Sequence, residues 1–79
     1  MNNLNENYHM AVKSLLDMAE YQVCIATSAS AKIGAWDQAE NAIHALITVS
    51  LSDPRITSED LTQLQQYRKW ADSKARKFK

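Results

Sequence analysis

Apolar residues recur at intervals of three and four along most of this chain, which is the spacing of amphipathic helices. In the first segment the series consists of Tyr8, Ala11, Val12, Leu15, Leu16, Ala19, Val23, Ala26, Ala29 and Ile33. No proline or glycine interrupts it before Gly34. The pattern predicts a first helix over about 5–33.

A second apolar stripe runs along the same helix and consists of Leu4, Met18 and Ile25. It makes the apolar face wider than that of an ordinary surface helix. A helix of this kind has more apolar surface than two shorter partners can easily cover.

Gly34 is the residue predicted to end the first helix, because glycine tolerates the left-handed conformation that follows many helices. Asp37 and Glu40 then have the spacing of a capping box and predict a second helix over about 37–51. The alternative is a helix that passes through Gly34 at a cost of about 1 kcal/mol. We favour the break. Trp36, just before the second helix, is a candidate lid over the hairpin.

The start of the third helix has the clearest signals in the chain. Pro54 ends the preceding element, since proline disfavours the helical conformation in the residue before it. Thr57 is suited to cap the next helix, with Asp60 at the third helical position. Ile56 and Leu61 have the spacing of a hydrophobic staple. Together they predict a third helix over about 58–77.

The sequence therefore predicts an all-α fold in a single small domain, 1–79. It has three helices (long, short and medium), arranged as a helical hairpin plus a third helix. One glycine and one proline in 79 residues argue against a fold rich in β-turns. A lone Cys24 cannot form an internal disulfide, and small domains need some such reinforcement. We expect oligomerisation or a partner to complete the core.

Charge is divided unequally along the chain, although nine basic residues balance nine acidic ones. Residues 1–54 hold two basic and six acidic residues, a net charge of −4, and residues 55–79 hold seven and three, a net charge of +4. Positive charge near the end of a helix is favoured by the helix dipole. The residues that could contact nucleic acid or an acidic partner are Arg68, Lys69, Lys74, Arg76 and Lys77.

No catalytic, cofactor-binding or metal-binding residue is predicted. Cys24 has no flanking cation or second cysteine to activate it, and we interpret it as a buried, inert thiol. His9 and His44 stand far apart, and His44 is expected to face solvent. The carboxylate pairs Asp17/Glu20 and Asp37/Glu40 lack the Glu-x-x-His spacing of a di-metal site and are explained by a solvated face or a cap. We therefore do not expect an enzyme.

The hypothesis that remains is a non-catalytic protein-interaction module (an adaptor, chaperone-like subunit, or inhibitor or regulator of another protein) that presents helix faces to a protein partner. We expect a cytoplasmic protein with no membrane contact that forms a homo-oligomer, most simply a dimer. The alternative is a nucleic-acid-associated regulator that uses the basic third helix. The predicted protein interface consists of Leu4, Tyr8, Met18, Ile25, Trp36 and Trp70.

Overall fold

The computed structural model describes the backbone of residues 3–79 and the side chains of residues 6–79. Within this range the chain forms three helices and no strand: α1 (Asn3–Ile25), α2 (Ala29–Ser50) and α3 (Ser58–Arg76). The predicted all-α fold with three helices is confirmed. The predicted order of long, short and medium lengths is not confirmed, because the helices have 23, 22 and 19 residues and are nearly equal.

The first two helices are separated at residues 26–28 rather than at Gly34. Ser28 has an extended backbone, and its hydroxyl accepts a hydrogen bond from the N–H of Ala31 at 3.1 Å, which caps α2. The predicted break at Gly34 and the predicted cap at Asp37 are both wrong, since both residues lie inside α2.

Antiparallel packing of α1 against α2 explains where the break falls. Gln22 and Ala35 line one end of the groove between these helices, and Ala11 and Val49 line the other end. A break at Ser28 makes the two helices equally long, so that they can pack along their whole length. Local signals such as an internal glycine or a cap are worth only about 1 kcal/mol each, and burial along a full helix outweighs them.

The second connection and the start of α3 agree with the sequence pattern. The Asp53 carboxylate accepts hydrogen bonds from the backbone N–H of Arg55 at 3.0 Å and from its Nε at 3.3 Å. The Thr57 hydroxyl accepts from the N–H of Asp60 at 3.2 Å, and the Asp60 carboxylate accepts from the N–H of Thr57 at 3.1 Å. This is the predicted capping box, and α3 follows it with nearly the predicted bounds.

The core lies along α2, which packs against both other helices, whereas α1 and α3 touch each other much less. Its buried apolar residues are Val12, Leu16, Ala19, Ala35, Trp36, Ala39, Ile43, Ile47, Leu64, Ala71 and Ala75. Five of these 11 residues are alanines. Alanine lets helices approach closely, but it buries little apolar area. The core therefore buries a small apolar area for its length.

A Gly34→Ala substitution separates the observed helix from the predicted break. Gly34 lies within α2, is exposed to solvent and has no positive φ. A Cβ atom added there would meet nothing within 4 Å. The variant should therefore be more stable by about 0.5–1 kcal/mol, measured by thermal or urea unfolding.

Ser28→Ala is the matched variant at the observed cap and should lose about 1 kcal/mol of stability. If Gly34 instead ended a helix in the left-handed conformation, Gly34→Ala would be destabilising, and that result would contradict the observed boundary.

Acid should weaken the second connection through Asp53. The hydrogen bond from the Arg55 backbone, aided by the Arg55 side chain and its charge, holds the pKa of Asp53 below its ordinary value of 3.8. A carboxyl with a lowered folded-state pKa stabilises the fold above its unfolded pKa, and this contribution disappears as the pH falls through the folded value.

Asp53→Asn should therefore lower the melting temperature most at neutral pH, and the gap from the parent chain should narrow below about pH 3.8. Melting curves from neutral to strongly acidic pH measure this gap. The exposed carboxylate variant Glu20→Gln serves as the control. A gap that stays constant with pH would contradict the assigned role of the Asp53 charge.

Candidate protein-interaction surface

The structure places the predicted interface residues in different environments. Met18 and Ile25 are 59% and 63% exposed, and Trp70 is 39% exposed. Tyr8 is half-buried and packs against the core. Leu4 lies outside the residues whose side chains are described. Met18 and Ile25 thus lie on a surface that is open to a partner.

Trp36 does not offer a contact surface, and that prediction is wrong. Its side chain is buried in the core and meets Trp70 edge to face, with ring centroids 5.5 Å apart. The reason is the earlier start of α2, which turns Trp36 from a loop residue into an interior helical residue that faces α3. Trp70 thus contacts the buried ring and remains partly exposed to solvent.

Most of the basic residues predicted to contact nucleic acid are engaged within the chain. The guanidinium of Arg68 lies 3.5 Å from the Glu40 carboxylate, and Arg76 donates to Asp72 at 2.8 Å. The ammonium group of Lys74 lies 4.9 Å from the centre of the Trp70 ring.

Lys69 and Lys77 are exposed. At about 100° per residue, these five basic residues are distributed around α3 rather than along one face. Thus α3 alone does not present a row of basic residues that could enter a groove of a nucleic acid.

The other candidate groups do not converge on one site. His9 packs edge to face on Tyr67, with centroids 5.8 Å apart, and His44 is exposed as expected. Cys24 is exposed, so its predicted burial is wrong, because the residue follows Val23 and points about 100° away from the core stripe. Among the described side chains no group of three His, Cys, Asp or Glu residues could hold a metal ion.

A continuous groove runs between α1 and α2 on the side away from α3. It has two sections of about 160 and 430 Å³, which share Leu15 and Ala42 and therefore join. We call this surface the α1–α2 groove; its lining residues are Ala11, Ser14, Leu15, Met18, Ala19, Gln22, Ala35, Gln38, Ala39, Ala42, Ala45, Leu46 and Val49. Along α2 it extends for about 21 Å at 1.5 Å per residue.

The α1–α2 groove has no charged lining residue, although 23% of the chain is charged. Buried alanines form its floor, and half-buried Leu15 and Leu46 form its walls. Large apolar side chains stand at its rim: Met18 is 59% exposed and Val49 is 60% exposed. A shallow, uncharged surface with raised apolar edges is suited to contact another helix.

A second cleft, between α1 and α3, has a different character. It is lined by Leu16, Tyr67 and Trp70, together with charged and polar side chains that include Lys13, Asp17 and Glu20. Lys13 and Asp17 form an exposed ion pair at 3.9 Å. This cleft is more polar than the α1–α2 groove, and the contact between His9 and Tyr67 forms part of its lining.

The α2 side of the groove was missed in the sequence, although a signal for it exists. Ala35, Gln38, Ala42, Ala45 and Val49 are separated by three, four, three and four residues, which is the spacing of a coiled-coil seam. The small side chains conceal the pattern, because alanine is common on both buried and exposed helix faces. The observed start of α2 at Ala29 adds Ala35 to this series.

None of the helices in the described part of the chain is both long and apolar enough to cross a membrane. Comparison with known protein families, with curated proteins and with solved structures gives no match. The function is therefore inferred from the residues of the chain itself.

Replacing each tryptophan by alanine should separate the core from the surface. Trp36→Ala removes a buried ring and should cost about 3–5 kcal/mol, which is most of the stability of a small domain. Trp70→Ala removes a partly exposed ring and should cost clearly less. Urea unfolding followed by circular dichroism measures both, and equal losses would contradict the assigned burial.

Proposed function

We propose that this chain is a non-catalytic protein-interaction module that binds a helix of its partner in the α1–α2 groove. The observation that carries the proposal is the continuous, uncharged lining of this groove, edged by exposed Met18 and Val49. In helix-in-groove recognition, apolar side chains spaced by three and four residues fill such a surface.

The small residues of the groove support helix docking in particular. The small residues Ala42 and Ala45 directly precede the larger residues Leu46 and Val49 along α2, so that a low stretch of the helix surface adjoins a raised one. Packed helices interlock ridges with grooves at interaxial distances of about 8–10 Å, and small side chains permit the shorter separations. A partner helix with a Leu- and Ala-rich stripe matches this pattern of large and small side chains.

Nucleic-acid binding through α3 remains the alternative proposal, and it has less support. Arg68 and Arg76 already face carboxylates within the chain, and Lys74 lies over an aromatic ring. Phosphate contacts need several free cations on a common face, and the affinity that they give is strongly salt-dependent.

A synthetic helical peptide tests the proposed function directly. The peptide carries Leu and Ala with heptad spacing, has no net charge, and is titrated into the isotope-labelled chain while amide shifts are recorded. We expect saturable shifts confined to residues that line the α1–α2 groove.

The variant Ala45→Glu should abolish these shifts, because it places a charge in the apolar contact. His44→Glu adds the same charge one residue away, on the exposed polar face of α2, and should leave peptide binding unchanged. At a protein concentration at which sedimentation shows the chain to be monomeric, shifts confined to α3, or no saturable shifts, would contradict docking in this groove.

A further inference from the structure

We infer that the occupant of the α1–α2 groove is the same groove of a second copy of this chain, so that α1 and α2 of the two chains form a four-helix bundle with each α3 outside. This inference rests on the proposed function and names the partner. In a two-fold symmetric dimer the same patch meets itself, so each ridge needs a matching depression on the same surface.

The groove meets that requirement in shape. Its lining includes the large exposed side chains of Met18 and Val49, which can act as ridges, and the small side chains of Ala42 and Ala45, which leave room for them. The ridges of one copy can therefore enter the depressions of the other and receive the same contacts in return.

The absence of charge in the α1–α2 groove is compatible with a second copy as its occupant. In a two-fold dimer a charge near the symmetry axis lies close to its own copy, and such like-charge pairs are destabilising when they are desolvated. The α1–α2 groove avoids this cost because none of its lining residues is charged. The cleft between α1 and α3 is lined by charges of both signs, Lys13, Asp17 and Glu20 among them, and self-contact there would remove these charges from water.

The amount of exposed surface also fits an incomplete assembly. The chain exposes 5282 Å², whereas a folded monomer of 8.9 kDa exposes about 4,800 Å² on average. The surplus of roughly 500 Å² is a large part of the roughly 800 Å² that each partner covers in a standard interface. The elongated shape, 42 × 18 × 15 Å, accounts for this extra surface.

The small apolar area buried in the core favours association with a second copy. Five of its 11 buried apolar residues are alanines, and Cys24 has no second cysteine with which to form an internal disulfide. Domains of this size commonly gain stability from disulfides, metals or oligomerisation. Packing of the α1–α2 groove against its copy adds to the small apolar area that the single chain buries.

Sedimentation equilibrium across a wide range of protein concentration tests the inference on the full chain. We expect a monomer–dimer equilibrium for the parent chain. Ala45→Glu should weaken the dimer by about a hundredfold or more, because two carboxylates would be buried in an apolar interface. His44→Glu should leave the dimer affinity within about threefold, since His44 lies on the exposed polar face of α2.

Ala45 is exposed in the single chain, so Ala45→Glu should keep the helical circular dichroism of the parent. Val49→Lys is a second variant at the same surface and should give the same loss. A parent chain that is monomeric throughout would overturn the second copy as occupant, and saturable peptide binding by that monomer would leave the proposed function standing. A dimer that survives both Ala45→Glu and Val49→Lys would overturn the assignment to this groove.

Discussion

The apolar arc of α2 is the constraint on which the rest of the structure depends. At about 100° per residue, the apolar positions from Ala45 through Leu46 and Ile43 to Ile47 cover about 200° of the helix, roughly twice an ordinary amphipathic stripe. One neighbouring helix cannot cover such an arc. The molecule places α3 on one flank and α1 on the next, and the third flank, which carries Ala45 and Val49, is left open as the wall of a groove.

Alanine links the packing to the proposed docking. Ala35 and Ala39 allow α1 to lie close to α2, and Ala71 and Ala75 do the same for α3. The same choice reduces the apolar area buried inside one chain, because a methyl group removes much less surface from water than a leucine side chain. Close packing within the chain thus leaves stability to be gained from contacts outside it, which is consistent with the proposed self-association.

The parts of the fold that depend on local chemistry could be predicted from the sequence. Thr57 and Asp60 satisfy each other within four residues, so α3 begins where its capping pattern places it. The start of α2 could not be predicted in this way. Gly34 and Asp37 carry stronger local signals than Ser28, but pairing with α1 over its full length decides the boundary. The misplacement of Trp36 follows from that single error, whereas the exposure of Met18 is independent of it.

Electrostatics within the chain explains why an uncharged groove is a better candidate than the basic end of α3. The excess acid of residues 1–54 and the excess base of residues 55–79 meet where α2 packs on α3, as the contact between Glu40 and Arg68 shows. The half-buried position of this pair makes it less screened than an exposed one, and it helps to fix how α3 lies on α2. Part of the basic charge that was predicted to contact a partner thus orients α3 on α2. Apolar surface, by contrast, is left over on α1 and α2, and a partner that covers it needs shape and hydrophobicity more than charge.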